Sequence, residues 1–251
     1  MRRATPVLNI QAMLKYIPAT DRYHASPVGW LSSYFLFSFA DYYDPGNMHF
    51  GPLRVFNDDT VAPKSGFPQH PHSEMEIVTL VLEGEVSHED TMGNKTTIKK
   101  GEVQRMTAGT GIAHSEMNQK DETLRIYQLW FLPNQKGLAP SYEQKDIDFL
   151  SKKNELVPLV TGQKVLEDVV YMNSNSAIYW ANLSADKTVM FKTFPIRNTF
   201  IYVKEGTIYV NGTELGPNDQ ARMTDEHVVE IRAEKDAQLI LIDLPGNEAN
   251  Y

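Results

Sequence analysis

The chain has 251 residues, 41% of them hydrophobic, enough for one large or two ordinary domains built around real cores. Its formal net charge of -8 and pI near 5.4 argue against a surface made for phosphate backbones or anionic lipid, so direct nucleic-acid binding is not expected. With no cysteine the fold uses no disulfide, and any metal must be held through nitrogen and oxygen.

The start, Met1-Arg2-Arg3, has the charge of an export signal, but Asn9, Gln11 and Lys15 interrupt the segment before an apolar stretch develops. No membrane span is evident, and a cytoplasmic location is expected. From there turn residues recur every eight to twelve positions between short runs rich in Val, Ile, Leu, Phe, Tyr and Thr, the pattern of an all-β barrel or sandwich. Strands are predicted at 34–39, 53–57, 76–83, 84–90, 96–98, 102–106, 111–117 and 124–132. Met92-Gly93-Asn94 supplies the turn of a hairpin, and the same reading applies at Glu83-Gly84-Glu85. After Pro133 the texture changes: residues 134–137 and the polar stretch 141–148 read as an exposed crossover, with a short helix near 147–152. A domain boundary is placed there, giving units 1–135 and 136–251. Strand character resumes at 169–172, 177–183, 188–194, 199–203, 207–210, 228–231 and 238–244.

The second half echoes the first. Val81-Leu82-Glu83-Gly84 is answered by Val203-Lys204-Glu205-Gly206, and Lys99-Lys100-Gly101-Glu102 by Leu215-Gly216-Pro217-Asn218-Asp219. Two β-barrels in tandem are the simplest account. The histidines are not duplicated: six of seven lie at or before His114, so chemistry belongs to the first barrel.

His70-Pro71-His72 and His114-Ser115-Glu116 carry that chemistry. Side chains alternate across a strand, so each i,i+2 pair points to one face, and two such strands side by side offer four donors to one point. Three imidazoles and a carboxylate suit Fe, Mn, Ni, Co, Cu or Zn without selecting among them. His88 is expected at the surface or behind the ligands, and His24, His49 and His227 on loops or the surface. Gly109-Thr110-Gly111 lacks the Gly-Lys-Ser/Thr of a phosphate loop and instead makes the turn that presents His114. Met75, Met92, Met106 and Phe67 are candidates for apolar walls, and Tyr179, Trp180 and 191–194 for core or the surface between barrels.

These motifs resemble those of the cupin superfamily, and more closely the pirin family. The first cupin motif appears as His70-Pro-His72-Ser-Glu-Met-Glu76 ending at Gly84, the second as Gly101 followed by Gly109-Thr-Gly111-Ile-Ala-His114-Ser-Glu116-Met-Asn118. Pirin-like features include Phe56-Asn-Asp-Asp59, Gly66-Phe67-Pro68, His88-Glu-Asp90 and Tyr127-Gln-Leu-Trp130; Phe37-Ser-Phe39-Ala-Asp41 is shared with bacterial pirin-like quercetin 2,3-dioxygenases.

The resemblance implies an all-β bicupin, two tandem antiparallel jelly-roll barrels with few short helices, and one metal in the first barrel held by His70, His72, His114 and Glu116. Glu76 occupies the usual cupin glutamate position, but pirins use the glutamate two residues after the third histidine, which places Glu76 behind the ligands. The metal is Fe2+ by family analogy, with Ni, Mn, Co, Cu and Zn allowed. The implied reaction is O2-dependent cleavage of quercetin or a related flavonol, with Glu116 taking the substrate hydroxyl proton and carbon monoxide and a depside released. The family also implies an alternative, a metal-binding regulatory protein that acts through a protein partner; a third reading is an isomerase or hydrolase using the same site. Relatives often carry a histidine where this chain has Phe35, which bears on substrate choice. A bicupin is self-contained enough to stand as a monomer.

Overall fold

The computed structural model describes residues 13–163, 166 and 168–246; Met1, Arg2, Arg3, Asn9 and Gln11 lie outside them. The first half contains β1 (Met13–Ile17), β2 (Tyr23–Ala25), β3 (Leu31–Phe35), β4 (Leu53–Val61), β5 (Ser65–His72), β6 (Glu76–Glu83), β7 (Glu85–Asp90), β8 (Lys95–Lys99), β9 (Glu102–Thr107), β10 (Ile112–Asn118) and β11 (Leu124–Phe131). Then come β12 (Ser141–Asp146), β13 (Leu156–Thr161), β14 (Val170–Tyr171), β15 (Ala177–Leu183), β16 (Thr188–Lys192), β17 (Arg197–Glu205), β18 (Ile208–Val210), β19 (Thr213–Leu215), β20 (Gln220–Thr224), β21 (Val228–Ala233) and β22 (Ala237–Pro245). Among the described residues the helical content is one 3-10 turn, Ala19–Asp21, and no helix is long and apolar enough to cross a membrane.

Two copies of one architecture follow, as the echo in the sequence requires. In the first, a seven-stranded sheet of order β12-β9-β6-β11-β4-β3-β2 faces a four-stranded sheet, β5-β10-β7-β8. In the second, β1-β20-β17-β22-β15-β13-β14 faces β16-β21-β18-β19. The Glu-Gly pairs mark equivalent corners. At Gly84 (φ 75°) and Gly206 (φ 83°) the chain leaves a seven-stranded sheet for the four-stranded one, in a left-handed conformation that costs glycine nothing. The hairpin expected at Glu83-Gly84-Glu85 is therefore corrected: β6 pairs with β9 and β11, β7 with β8 and β10, and the two strands never pair with each other. The hairpin around Gly93 is present, joining β7 to β8.

The edge strands are exchanged between the halves. The place beside β9 is taken by β12, from the segment leading into the second barrel, and the equivalent place beside β20 by β1, from ahead of the first. The polar run 141–148, expected to be an exposed crossover, thus starts as a paired strand. Its polarity is absorbed sideways: Arg105 donates to Ser141 Oγ at 2.6 Å, Tyr142 bonds Thr96 at 2.7 Å, and Gln144 donates to the Thr97 carbonyl at 3.0 Å. The helix expected near 147–152 is a turn, with Phe149 fully buried and Asn182 Nδ2 donating to the carbonyls of Phe149 and Lys152. The strand expected at 34–39 ends at Phe35, because Leu36 and Phe37 enter the core between the barrels rather than continue the ladder.

That core explains why β6, between its terminal glutamates, is apolar on both faces apart from Thr79: both faces of the first seven-stranded sheet are covered. Along β11, Tyr127 and Leu129 pack with Phe56, Trp180, Phe200 and Tyr202 between the barrels, while Gln128 and Trp130 face the interior of the first barrel. Of the residues expected in core or between barrels, Trp180 lies between them, Tyr179 and Phe191 inside the second, and Phe194 is exposed.

Candidate metal site

The four predicted donors come from two paired strands. β5 lies against β10 with His70 opposite His114 and His72 opposite Ile112, and a bulge in β5 between His70 and Phe67 brings Phe67 opposite Glu116. β5 is an edge strand, so Pro68 and Pro71 remove no needed ladder donor. Donor atoms of His70, His72 and His114 lie within 4.8 Å of one another; those of His88, His114 and Glu116 form a second such group sharing His114. The structure therefore gathers the three predicted histidines directly and joins Glu116 to them through His114.

The donor chemistry fits a cation. His70 Nδ1 is 2.8 Å from the Pro68 carbonyl, which can only accept, so this nitrogen carries a proton and Nε2 is the atom left to ligate. His72 Nε2 and His114 Nε2 are buried and have no hydrogen-bond partner. Burial, and then the neighbouring His70, lower His72 to about 4; burial, with His70, His72 and His88, lowers His114 to about 2. His72 and His114 are thus neutral, the form that ligates metals.

Glu116 is 3% exposed, and burial raises its pKa to about 7 against the lowering effect of two hydrogen bonds. Those bonds come from the facing sheet: Thr79 Oγ1 lies 3.1 Å from Oε1, and Gln128 Nε2 donates to Oε2 at 2.7 Å. Register makes the pair, since Thr79 is directly opposite Gln128 in the β6–β11 ladder and Gln128 opposite Asn57 in the β11–β4 ladder. Asp59, two residues beyond Asn57, is raised by burial to about 7 and hydrogen-bonded by Ser33.

His70, His72, His114, Glu116, Gln128, Asn57 and Asp59 line a pocket of about 350 Å³ with Pro68, Gln69 and an apolar wall of Phe39, Phe67, Ile77 and Trp130. Trp130 meets His72 edge to face, at 4.8 Å between ring centroids. Of the expected apolar walls only Phe67 is there; Met75 and Met106 pack behind with Ile77 and Ala108, and Met92 is exposed on its hairpin. Asn57, Asp59, Thr79, Gln128, Phe39 and Trp130 were not anticipated at the site. The available signal was Asn57-Asp58-Asp59, a polar run inside an otherwise apolar strand.

Glu76 does not stand behind the ligands. Strand alternation turns it away from Ile77 and Thr79, and it accepts hydrogen bonds from Thr107 Oγ1 at 3.1 Å and from the Asn173 backbone N–H of the second half at 2.9 Å. His88, by contrast, is 1% exposed and directly adjoins His114.

The second barrel shows what the same geometry does without these donors. The ladders β16–β21 and β18–β21 repeat β5–β10 and β7–β10, and with Gly206 at the corner of Gly84 they set His70, His114 and Glu116 against Phe191, Val229 and Ile231. All three are buried in a hydrocarbon core.

Residues 18–131 match the Pirin family and residues 159–244 the Quercetinase C-terminal cupin domain. The chain is 41% identical to a quercetin 2,3-dioxygenase of Escherichia coli over 229 residues, covering 90% of this chain and 96% of that protein. It is 40% identical to a pirin-like protein of Caulobacter vibrioides over 223 residues, 89% and 96% of the two chains. Among solved structures, the bacterial pirin YhhW of Escherichia coli in complex with nickel(II) superposes with a TM-score of 0.88 at 37% identity, over 94% of this chain and all of that one. The chain belongs to the pirin family.

Proposed function

We propose that the chain is a metal-dependent dioxygenase that holds one divalent transition metal through His70, His72, His114 and Glu116 and cleaves quercetin or a related flavonol with O2. The observation that carries the reading is the pair of neutral, unpartnered nitrogens of His72 and His114 on the wall of a pocket that also presents three aromatic side chains and is large enough for a small planar ligand. A bound metal would supply Lewis acidity toward the flavonol 3-hydroxyl and a place for O2 beside it. Fe2+ is the first expectation by family analogy, and the nickel-bound relative keeps nickel among the alternatives.

The chain's own residues have separable tasks. Phe39, Phe67 and Trp130 bound a slot that suits a flat ring system and keeps water out. Glu116, raised to about 7, is matched to accept the hydroxyl proton near neutral pH, and Gln128 Nε2 holds its second oxygen in place meanwhile. O2 is consumed with the flavonol, one carbon leaves as carbon monoxide, and the depside retains the remaining atoms, so no external reductant enters.

The test is protein purified without oxygen, its metal quantified, then supplied with quercetin and O2. Metal-dependent, multi-turnover O2 uptake with carbon monoxide release is expected; His70→Ala and His114→Ala proteins should lose stoichiometric metal and turnover together. Bound metal with no turnover on any flavonol overturns the activity, and metal retained in both variants overturns the ligand set.

A further inference from the structure

We propose that His88 and Asp90 are positioning residues that fix the tautomer of His114, which leaves His114 Nε2 free to bind the metal. This rests on the ligand set proposed above. The geometry admits one ordered arrangement of protons. Asp90 Oδ1 accepts from the backbone N–H groups of Met92 and Asn94 at 2.9 and 3.1 Å, and Oδ2 accepts from Asn94 Nδ2 at 2.8 Å, so the carboxylate is anchored by its own hairpin. Its Oδ2 lies 3.1 Å from His88 Nε2. An ionised carboxylate only accepts, so His88 carries its proton on Nε2 and presents a lone pair at Nδ1. That Nδ1 is 3.5 Å from His114 Nδ1. Two imidazole nitrogens can share a hydrogen bond only if one donates, and the donor here is His114. A neutral His114 protonated at Nδ1 has its lone pair at Nε2, the buried atom without a partner.

Two further observations support the assignment. His88 and His114 are both buried. In the second barrel, counted from the shared corner glycine, the position equivalent to His88 is Val210, opposite Ile231 in the ladder and fully buried in the hydrocarbon core, and the position equivalent to Asp90 is the turn glycine Gly212. The architecture accepts an aliphatic side chain at the His88 position, and the barrel that lacks the histidine donors lacks the His–Asp pair with them.

The experiment compares wild type with His88→Leu, His88→Gln and Asp90→Asn, each loaded with Zn(II). Affinity is read by competition with a chromophoric chelator, and histidine tautomers by imidazole nitrogen NMR. A glutamine can accept from His114 through Oε1 and donate to Asp90 through Nε2, so it restores the chain of hydrogen bonds that leucine breaks. His88→Leu and Asp90→Asn are expected to keep one metal per chain but bind it roughly 10–100-fold more weakly. His88→Gln should stay within a few fold of wild type. In the wild type one ligating histidine should show a slowly exchanging Nδ1–H that is lost in His88→Leu. Equal affinity and an unchanged His114 tautomer in His88→Leu overturn the proposal. Loss of stoichiometric metal in both His88 variants overturns it in another direction, by making His88 itself a ligand. Failure of wild type to bind metal removes the ligand set on which the proposal stands, a distinct result read before any variant is compared.

Discussion

Glu116 gives the sharpest physical test, because its protonation can be followed without any metal. In the metal-free protein Thr79 Oγ1 has two carboxyl or amide oxygens within reach, Glu116 Oε1 at 3.1 Å and Gln128 Oε1 at 3.2 Å, but only one hydrogen to give. A protonated Glu116 resolves this: it donates to Thr79, Thr79 donates to Gln128, and Gln128 Nε2 closes the ring at Glu116 Oε2. Burial accordingly holds the folded pKa at about 7 against an ordinary 4.5. Between those values the unfolded chain has released a proton that the folded chain keeps, so stability present below pH 4.5 is lost as pH rises to about 7. At about 1.4 kcal/mol per pH unit the full loss is roughly 3 kcal/mol, of which about 2.5 falls between pH 5 and pH 8. Glutamine reproduces the protonated group, donating to Thr79 and accepting from Gln128, and does not titrate. Metal-free Glu116→Gln protein should therefore gain about 2.5 kcal/mol relative to metal-free wild type when urea unfolding is moved from pH 5 to pH 8. His72 and His114 are common to both proteins and cancel in the difference, while Asp59, which the Glu116 charge helps to raise, sits lower in the variant and adds to the gain in the same direction. A difference between variant and wild type that stays constant with pH would show that Glu116 is ionised throughout and refute the reasoning.

Two further predictions concern the frame around the site. A Cβ on Gly66 would lie 2.3 Å from the Glu116 carbonyl oxygen and 2.7 Å from Met117 Cα, both backbone atoms; Gly66→Ala should force β5 off β10, cost about 1–3 kcal/mol in urea unfolding and weaken metal binding. Asp58 accepts both Arg125 Nε at 3.0 Å and Nη2 at 2.9 Å, and the second barrel's Tyr202 hydroxyl at 3.1 Å, so Asp58→Asn should cost about 3 kcal/mol in chemical denaturation by leaving a cation poorly compensated. A loss under 1 kcal/mol would mean that water compensates Arg125 instead.

The donors were legible in the sequence because strand geometry converts i,i+2 spacing into a shared face whatever the rest of the fold does. What spacing does not carry is register. That His70 meets His114, and that Thr79 and Gln128 sit under Glu116, depends on a bulge and on which strands adjoin across more than thirty residues. Glu76 was misplaced for a related reason: its motif position suggested the site, while its odd spacing from Ile77 and Thr79 put it on the opposite face, where Asn173 takes it up. β12 was unreadable for a third reason. Its hydrogen-bonding partners on β9 lie well back in the sequence, and an edge strand with polar side chains looks like a loop until the sheet that receives it is known.

The exchanged strands and the two-sided sheet together explain why a barrel with no ligands of its own accompanies the one that has them. Thr79 and Gln128 can hold Glu116 only if β6 and β11 are rigid, and those strands carry Val78, Leu80, Tyr127 and Leu129 on their reverse face. Standing alone, the first barrel would expose that apolar face to water; the second covers it with Trp180, Phe200, Tyr202 and Ile240, at roughly 1.5–3 kcal/mol per large side chain buried. Having no donors to position, the second barrel fills its own interior with Val189, Ile208, Val210 and Ile231 and becomes stiff backing. Metal binding should therefore be sensitive to substitutions in the core between the barrels that touch no ligand, and insensitive to conservative repacking inside the second barrel. That asymmetry follows from which face of one sheet each residue occupies.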